Sequence, residues 1–214
     1  MSGGAWTLVA LAGLVAVVDW YGAATDNRQL RYVAKPLTLV LLIGAALTLH
    51  PVNETMRTWF VVGLVFGLLG DVFLMLEGEQ WFVPGLGSFL VCHLCYIPGF
   101  IAGGVTRTWV IVGGVVVAAA VATVAPRVIR GARRRDPKLL VPVSVYVCVI
   151  SVMVAFAVGT TVPLVIAGAV LFYLSDLMIG WSTFVTDVRG AGLFIITTYH
   201  VAQALLVISL AIAR

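Results

Sequence analysis

Two aspartates interrupt long apolar runs of this chain, Asp71 within residues 61–76 and Asp176 within residues 162–181. Placing a carboxylate in hydrocarbon costs roughly 3 kcal/mol on insertion scales, and such groups face a protein interior, find partners and mark function. The two lie almost half a chain length apart, each behind a small residue, Gly70-Asp71 and Ser175-Asp176. Two carboxyl groups in one site can divide acid and base work, provided their environments separate their proton affinities. Around them the sequence offers Lys35, His93, Tyr96, Tyr199 and Gln203, again inside apolar segments.

Composition sets the frame that must hold these groups. Of 214 residues, 62% are hydrophobic and only 10% charged, against about 25% charged in soluble domains. Mean hydropathy is +1.12. The chain reads as an integral membrane protein with no polar stretch long enough for an extramembrane domain. The apolar runs are continuous rather than alternating, which excludes a barrel and leaves helices as the way to satisfy the backbone in lipid. The expected fold is all-α, a single membrane domain over residues 1–214 with eight spans at 5–21, 29–49, 57–76, 84–103, 108–128, 139–158, 162–181 and 191–213. Each has a length a bilayer demands. The breaks carry Asp26-Asn27, Pro51 to Glu54, Glu77-Gly78-Glu79, the basic stretch 127–138, Gly159-Thr160, and Asp187 with Arg189-Gly190. The shortest break is 159–163. The N-terminus shows no basic region ahead of its apolar run and no cleavage site, so it reads as a retained first span.

The net charge of +4 does not indicate nucleic-acid binding, because the excess sits in the single stretch 127–138 between two spans. Arg28, Arg31, Arg127, Arg130, Arg133, Arg134, Arg135, Lys138 and Arg189 all follow odd-numbered spans, whereas only Arg57, Arg107 and Arg214 lie on the other side. The positive-inside rule then puts the basic side in the cytoplasm and both termini outside, in the cell membrane. Anionic headgroups are a secondary partner of the basic stretch. Cys92, Cys95 and Cys148 lie in spans and read as small packing residues.

The halves resemble one another weakly, with Lys35-Pro36 against Val141-Pro142, Gly70-Asp71 against Ser175-Asp176, and Cys92-His93 against Tyr199-His200. Four spans per half would make the copies parallel, as in some transporters. At 1.5 Å of rise per residue, Asp71 lies about 9 Å inside the boundary at Glu77, Asp176 within about two turns of the same boundary, and Lys35 one turn from Arg31. His93 and Tyr199 fall about 14 Å deep, with Tyr96 and Gln203 continuing their faces. All share the cytoplasmic half, so the expectation is one polar pocket open to the cytoplasm.

Plainer readings stand beside these. Lys35 alone snorkels, or forms a structural ion pair with Asp71. Tyr199 and Gln203 serve equally as interhelical glue. His200 points about 100° away from Tyr199, Asp19 reads as interfacial, and His50 has no assigned role. Cys92-His93-Leu94-Cys95 cannot converge on a metal from one helix. A zinc site of His93, Asp71 and Asp176 would have only one histidine, so no metal and no other cofactor is expected.

The run Lys35-Pro36-Leu37-Thr38, then Gly70-Asp71-Val72-Phe73-Leu74-Met75-Leu76, Gly85-Leu86, Phe89-Leu90, His93 and Tyr96 resembles the YhhN-type lysoplasmalogenase family. The second half agrees through residues 168–172, Ser175-Asp176, Phe184, Thr198-Tyr199 and Gln203. The resemblance implies an eight-span membrane hydrolase that cleaves the vinyl-ether bond of a lysophospholipid, the lysoplasmalogen, to a fatty aldehyde and glycerophosphoethanolamine or glycerophosphocholine. Asp71 and Asp176 would be catalytic; Lys35, His93, Tyr96, Tyr199 and Gln203 would bind substrate. The competing reading is a transporter of lipid or small molecules with a midplane polar site. The oligomeric state is not legible.

Overall fold

Lipid leaves this backbone one economical solution, and the chain adopts it eight times. The structure, a computed structural model, describes residues 3–212. The helices are α1 (Gly3–Ala24), α2 (Arg28–Thr48), α3 (Glu54–Met75), α4 (Phe82–Gly103), α5 (Arg107–Arg135), α6 (Leu140–Gly159), α7 (Pro163–Phe184) and α8 (Ala191–Ser209). All eight are long and apolar enough to cross a membrane, and the described residues contain no strand. The expected end of the last span at residue 213, the cation Arg214 and both chain termini lie outside the described residues.

Polar breaks become caps. The Asn27 side chain accepts from the Leu30 amide at 3.2 Å and starts α2; Asn53 accepts from Met56 at 2.9 Å and starts α3. Each thereby satisfies one of the orphan amides of a helix start. Asn53 also donates to the Ala102 carbonyl at 2.8 Å, tying the start of α3 to the end of α4. The short 159–163 break survives as a tight connection in which Thr161 takes φ +57° and Pro163 opens α7.

The fifth span departs from expectation. Most of the basic stretch is helix: α5 continues from the apolar core through Arg133, Arg134 and Arg135. Arginine and alanine are good helix formers and cations suit a helix C-terminus, so the helix runs on past Pro126 and ends at Asp136-Pro137. Its 29 residues make about 43 Å of helix, more than a hydrocarbon core of about 30 Å, so its last turns overhang the membrane. There Arg135 donates to Glu79 at 2.5 Å. Arg28 pairs with Glu77 at 2.8 Å. The loops after α1 and α3 and the end of α5 thus meet on one side of the bundle.

Packing repeats with a four-helix period. α1 packs on α2, α2 on α3 and α3 on α4; α5 packs on α6, α6 on α7 and α7 on α8. One cross-contact is paired, α4 against α6 and α8 against α2, whereas α1 against α8 and α5 against α7 have no counterpart of similar size. Successive helices thus pack in the same order in both halves, with the α5–α7 contact peculiar to the second. The interior holds Phe60, Leu64, Tyr96, Phe100, Met153, Phe172 and Leu206, while Leu14, Val33, Leu47, Val115 and Val141 face outward. Such an apolar exterior is what a lipid-solvated bundle presents.

Candidate active site

Each aspartate is held by one residue from each of two neighbouring helices. On α3, Asp71 is 3.0 Å from the Lys35 ammonium of α2, and Tyr199 of α8 donates its hydroxyl to Asp71 Oδ2 at 2.9 Å. On α7, Asp176 Oδ2 lies 3.0 Å from His93 Nε2 of α4 and accepts from the Tyr146 hydroxyl of α6. The repeat carries this arrangement: α2, α3 and α8 correspond to α6, α7 and α4. His93 and Tyr199 stand in corresponding places and perform corresponding tasks.

The two groups differ in what surrounds them. Asp71 is 1% exposed and Asp176 7%, and that small difference decides which one meets open space. Asp176 and Tyr146 line an apolar pocket with Phe82, Leu86, Phe89 and Phe184, offering about 730 Å³ of empty space with its open mouth included. Lys35 lines a second, basic pocket with Arg28, Arg31 and Tyr32; Leu74 borders both. Between the groups stand two rings. Phe172 lies 4.6 Å from the His93 ring and 5.3 Å from that of Tyr199, and Phe89 packs edge-on to Tyr199 at 5.7 Å. The single cavity expected from depth alone is therefore divided by an aromatic wall. Counting along a helix ranks residues by expected depth, but packing placed the rings between them.

A third contact lies deeper, where Tyr96 donates to Gln203 Oε1 at 2.5 Å. A side chain on Gly67 would stand 3.1 Å from Gln203 Nε2 and 3.3 Å from the Tyr199 hydroxyl, so that glycine makes room for both.

Several sequence readings change. Asp19, read as interfacial, is fully buried and lies 3.5 Å from Arg31 Nε, because the α1–α2 hairpin turns it inward. His200, expected to miss the pocket face, makes no hydrogen bond to either aspartate group and lines neither pocket, although it is buried beside Tyr199 at a ring distance of 5.6 Å. Cys92 and Cys95 are buried, but Cys148 faces outward. Among the described residues, no three His, Cys, Asp or Glu side chains gather as a metal site. Sequence reasoning missed Tyr146. Its one signal was a phenol in mid-span rather than at the aromatic belt.

Chemically, the α7 group puts a hydrogen-bonded carboxyl at the wall of an apolar pocket, and the α3 group pairs a carboxylate with an ammonium nearby. Such a set suits proton transfer to a substrate with a long apolar chain and a polar head. The YhhN family model matches residues 30–210. The lysoplasmalogenases of Mycobacterium bovis and Mycobacterium tuberculosis are each 29% identical to this chain over 218 aligned residues, covering 95% of it and 82% of their own length. Human lysoplasmalogenase TMEM86B is 28% identical over 150 residues, covering 68% of this chain and 60% of its own. No solved structure matches.

Proposed function

Since this chain belongs to the YhhN family, we propose that it is a multi-pass membrane hydrolase that cleaves the vinyl-ether bond of lysoplasmalogens. The products are a fatty aldehyde and glycerophosphoethanolamine or glycerophosphocholine. One observation carries the reading: Asp176, hydrogen-bonded by His93 and Tyr146, sits at the wall of an apolar pocket. The relatives that bear the name lysoplasmalogenase support it.

Vinyl-ether hydrolysis begins with a proton delivered to the enol carbon distal to oxygen. Asp176 gives that proton, the double-bond electrons form the new C–H bond, and an oxocarbenium ion results. Water adds to the carbon bearing oxygen and, with the Phe89 ring displaced from Tyr199 by the seated substrate, yields its proton to Asp71 by way of the Tyr199 hydroxyl. The hemiacetal then collapses: its hydroxyl proton returns to Asp176, and Asp71 returns the other proton to the departing glycerol oxygen. Atoms and charges balance with water as the only co-reactant. The contrast between an aspartate beside the Lys35 ammonium and one beside a phenol and an imidazole is the kind of difference that separates acid from base.

The alkenyl chain takes the apolar pocket. Lys35 holds the headgroup phosphate at the basic edge, and His93, Tyr96, Tyr199 and Gln203 form the polar wall behind the reacting atoms. The protein is a single domain of the cell membrane, with the Arg28 and Arg135 side in the cytoplasm and both termini outside. The test is purified protein incubated with lysoplasmenylethanolamine while aldehyde is assayed. Stoichiometric aldehyde and glycerophosphoethanolamine support the reading, and absence of aldehyde from folded protein overturns it.

A further inference from the structure

The α7 group contains more than an aspartate and a histidine. Tyr146 Oη, His93 Nε2 and Asp176 Oδ2 form a closed triangle, with His93 Nε2 2.9 Å from the phenol oxygen and 3.0 Å from the carboxyl oxygen. His93 is fully buried, and its Nδ1 has no hydrogen-bond partner. A proton on Nδ1 would be an unpaired buried donor, which is costly. The neutral ring therefore carries its hydrogen on Nε2 and donates it into the triangle. Tyr146 donates to the same carboxyl oxygen. Oδ2 thus accepts from the phenol and shares the His93 N–H with the phenol oxygen, and among the described residues Oδ1 has no protein hydrogen bond.

That asymmetry has a chemical consequence. An oxygen accepting two donors has no room for a proton of its own. When Asp176 is protonated, the proton sits on Oδ1. Of the triangle, Asp176 and Tyr146 border the apolar pocket and His93 does not. We infer that Tyr146 is a positioning residue: with His93 it holds Oδ2 as an acceptor, so that Asp176 presents its transferable proton from Oδ1 to the pocket.

This inference rests on the hydrolase reading above, in which Asp176 protonates the enol carbon. It adds which oxygen does so and which residue decides. The T-shaped packing of Tyr146 on His93, 5.4 Å between rings, means that phenylalanine keeps the ring contact and removes only the donor. A hydrogen bond to an ionisable carboxyl is worth about 1.5–3 kcal/mol, so losing it corresponds to roughly a 10- to 100-fold change in rate.

The experiment is Tyr146→Phe in the full-length protein, reconstituted in phosphatidylcholine vesicles and assayed with lysoplasmenylethanolamine across pH. The expected result is a 10- to 100-fold lower kcat, KM within about twofold of wild type, and a displaced pH–rate profile. A purely structural role would lower the amount of folded protein, scale the rate equally at every pH and leave the profile in place; that result overturns the inference, as does wild-type kcat. A second measurement needs no turnover. The infrared carboxyl band of Asp176, identified by its loss in Asp176→Asn, should shift in Tyr146→Phe, and an unmoved band overturns the inference even if another substrate proves correct. Absence of aldehyde from the wild type combined with a shifted band would count against the hydrolase reading and in favour of the positioning role.

Discussion

Replacing Lys35 by methionine tests whether the α3 aspartate is held as half of a buried ion pair. The Lys35 ammonium is 3.0 Å from Asp71 Oδ1, with 11% of the lysine side chain and 1% of the aspartate exposed. Lys35→Met keeps the length of the stem but leaves a buried carboxylate with only the Tyr199 hydroxyl, at 2.9 Å. Removing one partner of a buried pair costs about 3–5 kcal/mol. Lys35 borders the basic pocket, where water can partly replace the ammonium, so the lower end of that range is expected. That amounts to roughly two orders of magnitude in the unfolding equilibrium. Adding Asp71→Asn to Lys35→Met removes the stranded charge and should recover most of the loss. The assay is SDS-induced unfolding of the reconstituted protein, followed by tryptophan fluorescence, for wild type, both single variants and the double variant. A Lys35→Met protein as stable as wild type, or a double variant no more stable than Lys35→Met, would refute the ion-pair account of α3. Aldehyde release adds a second axis: the double variant should be folded yet inactive, since Asp71 acts as the base.

Asp71→Asn and Asp176→Asn should each lower aldehyde release by about 10²–10⁴-fold while the protein still reconstitutes, because asparagine keeps the shape but cannot exchange the proton; full activity in both variants would sink the two-carboxylate mechanism. Gly70→Ala places a methyl 2.7 Å from Phe89 ring carbons, so that ring must move. We expect a loss of about 1–3 kcal/mol in the same unfolding assay and a raised KM, since Phe89 lines the pocket; an unchanged KM would detach Phe89 from substrate binding. Single cysteines replacing Arg134 and Thr106 should label with a membrane-impermeant maleimide from the cytoplasmic and the outer side respectively. The reverse pattern would invert the topology.

Eight helices in a membrane were legible from composition and spacing, because lipid forbids an unpaired backbone and a 1.5 Å rise converts a bilayer into about twenty residues. That rise also gave each polar residue an expected depth. Asp71, Asp176, His93 and Tyr199 could be ranked along the membrane normal by counting from Glu77, Trp181, Pro84 and Arg189. Even the correspondence of halves was visible, since Gly70-Asp71 and Ser175-Asp176 are separated by nearly the same distance as His93 and Tyr199.

What counting along a helix cannot supply is rotation and neighbourhood. Whether Asp71 meets Lys35 or His93 depends on which helices touch, and only the packed bundle sets α3 between α2 and α4 and brings α8 against α2. For that reason Tyr146 went unseen: among the apolar residues of α6, a lone phenol has no partner until α4 and α7 deliver His93 and Asp176 to it. Asp19 was misjudged on the same ground, its burial being a property of the α1–α2 hairpin rather than of its position in a span. The division of the polar site was likewise a tertiary outcome. Phe89 and Phe172 entered the sequence reading only as parts of the resembling runs, and close packing between α4, α7 and α8 made them the wall that leaves Asp176 at the pocket and Asp71 behind it.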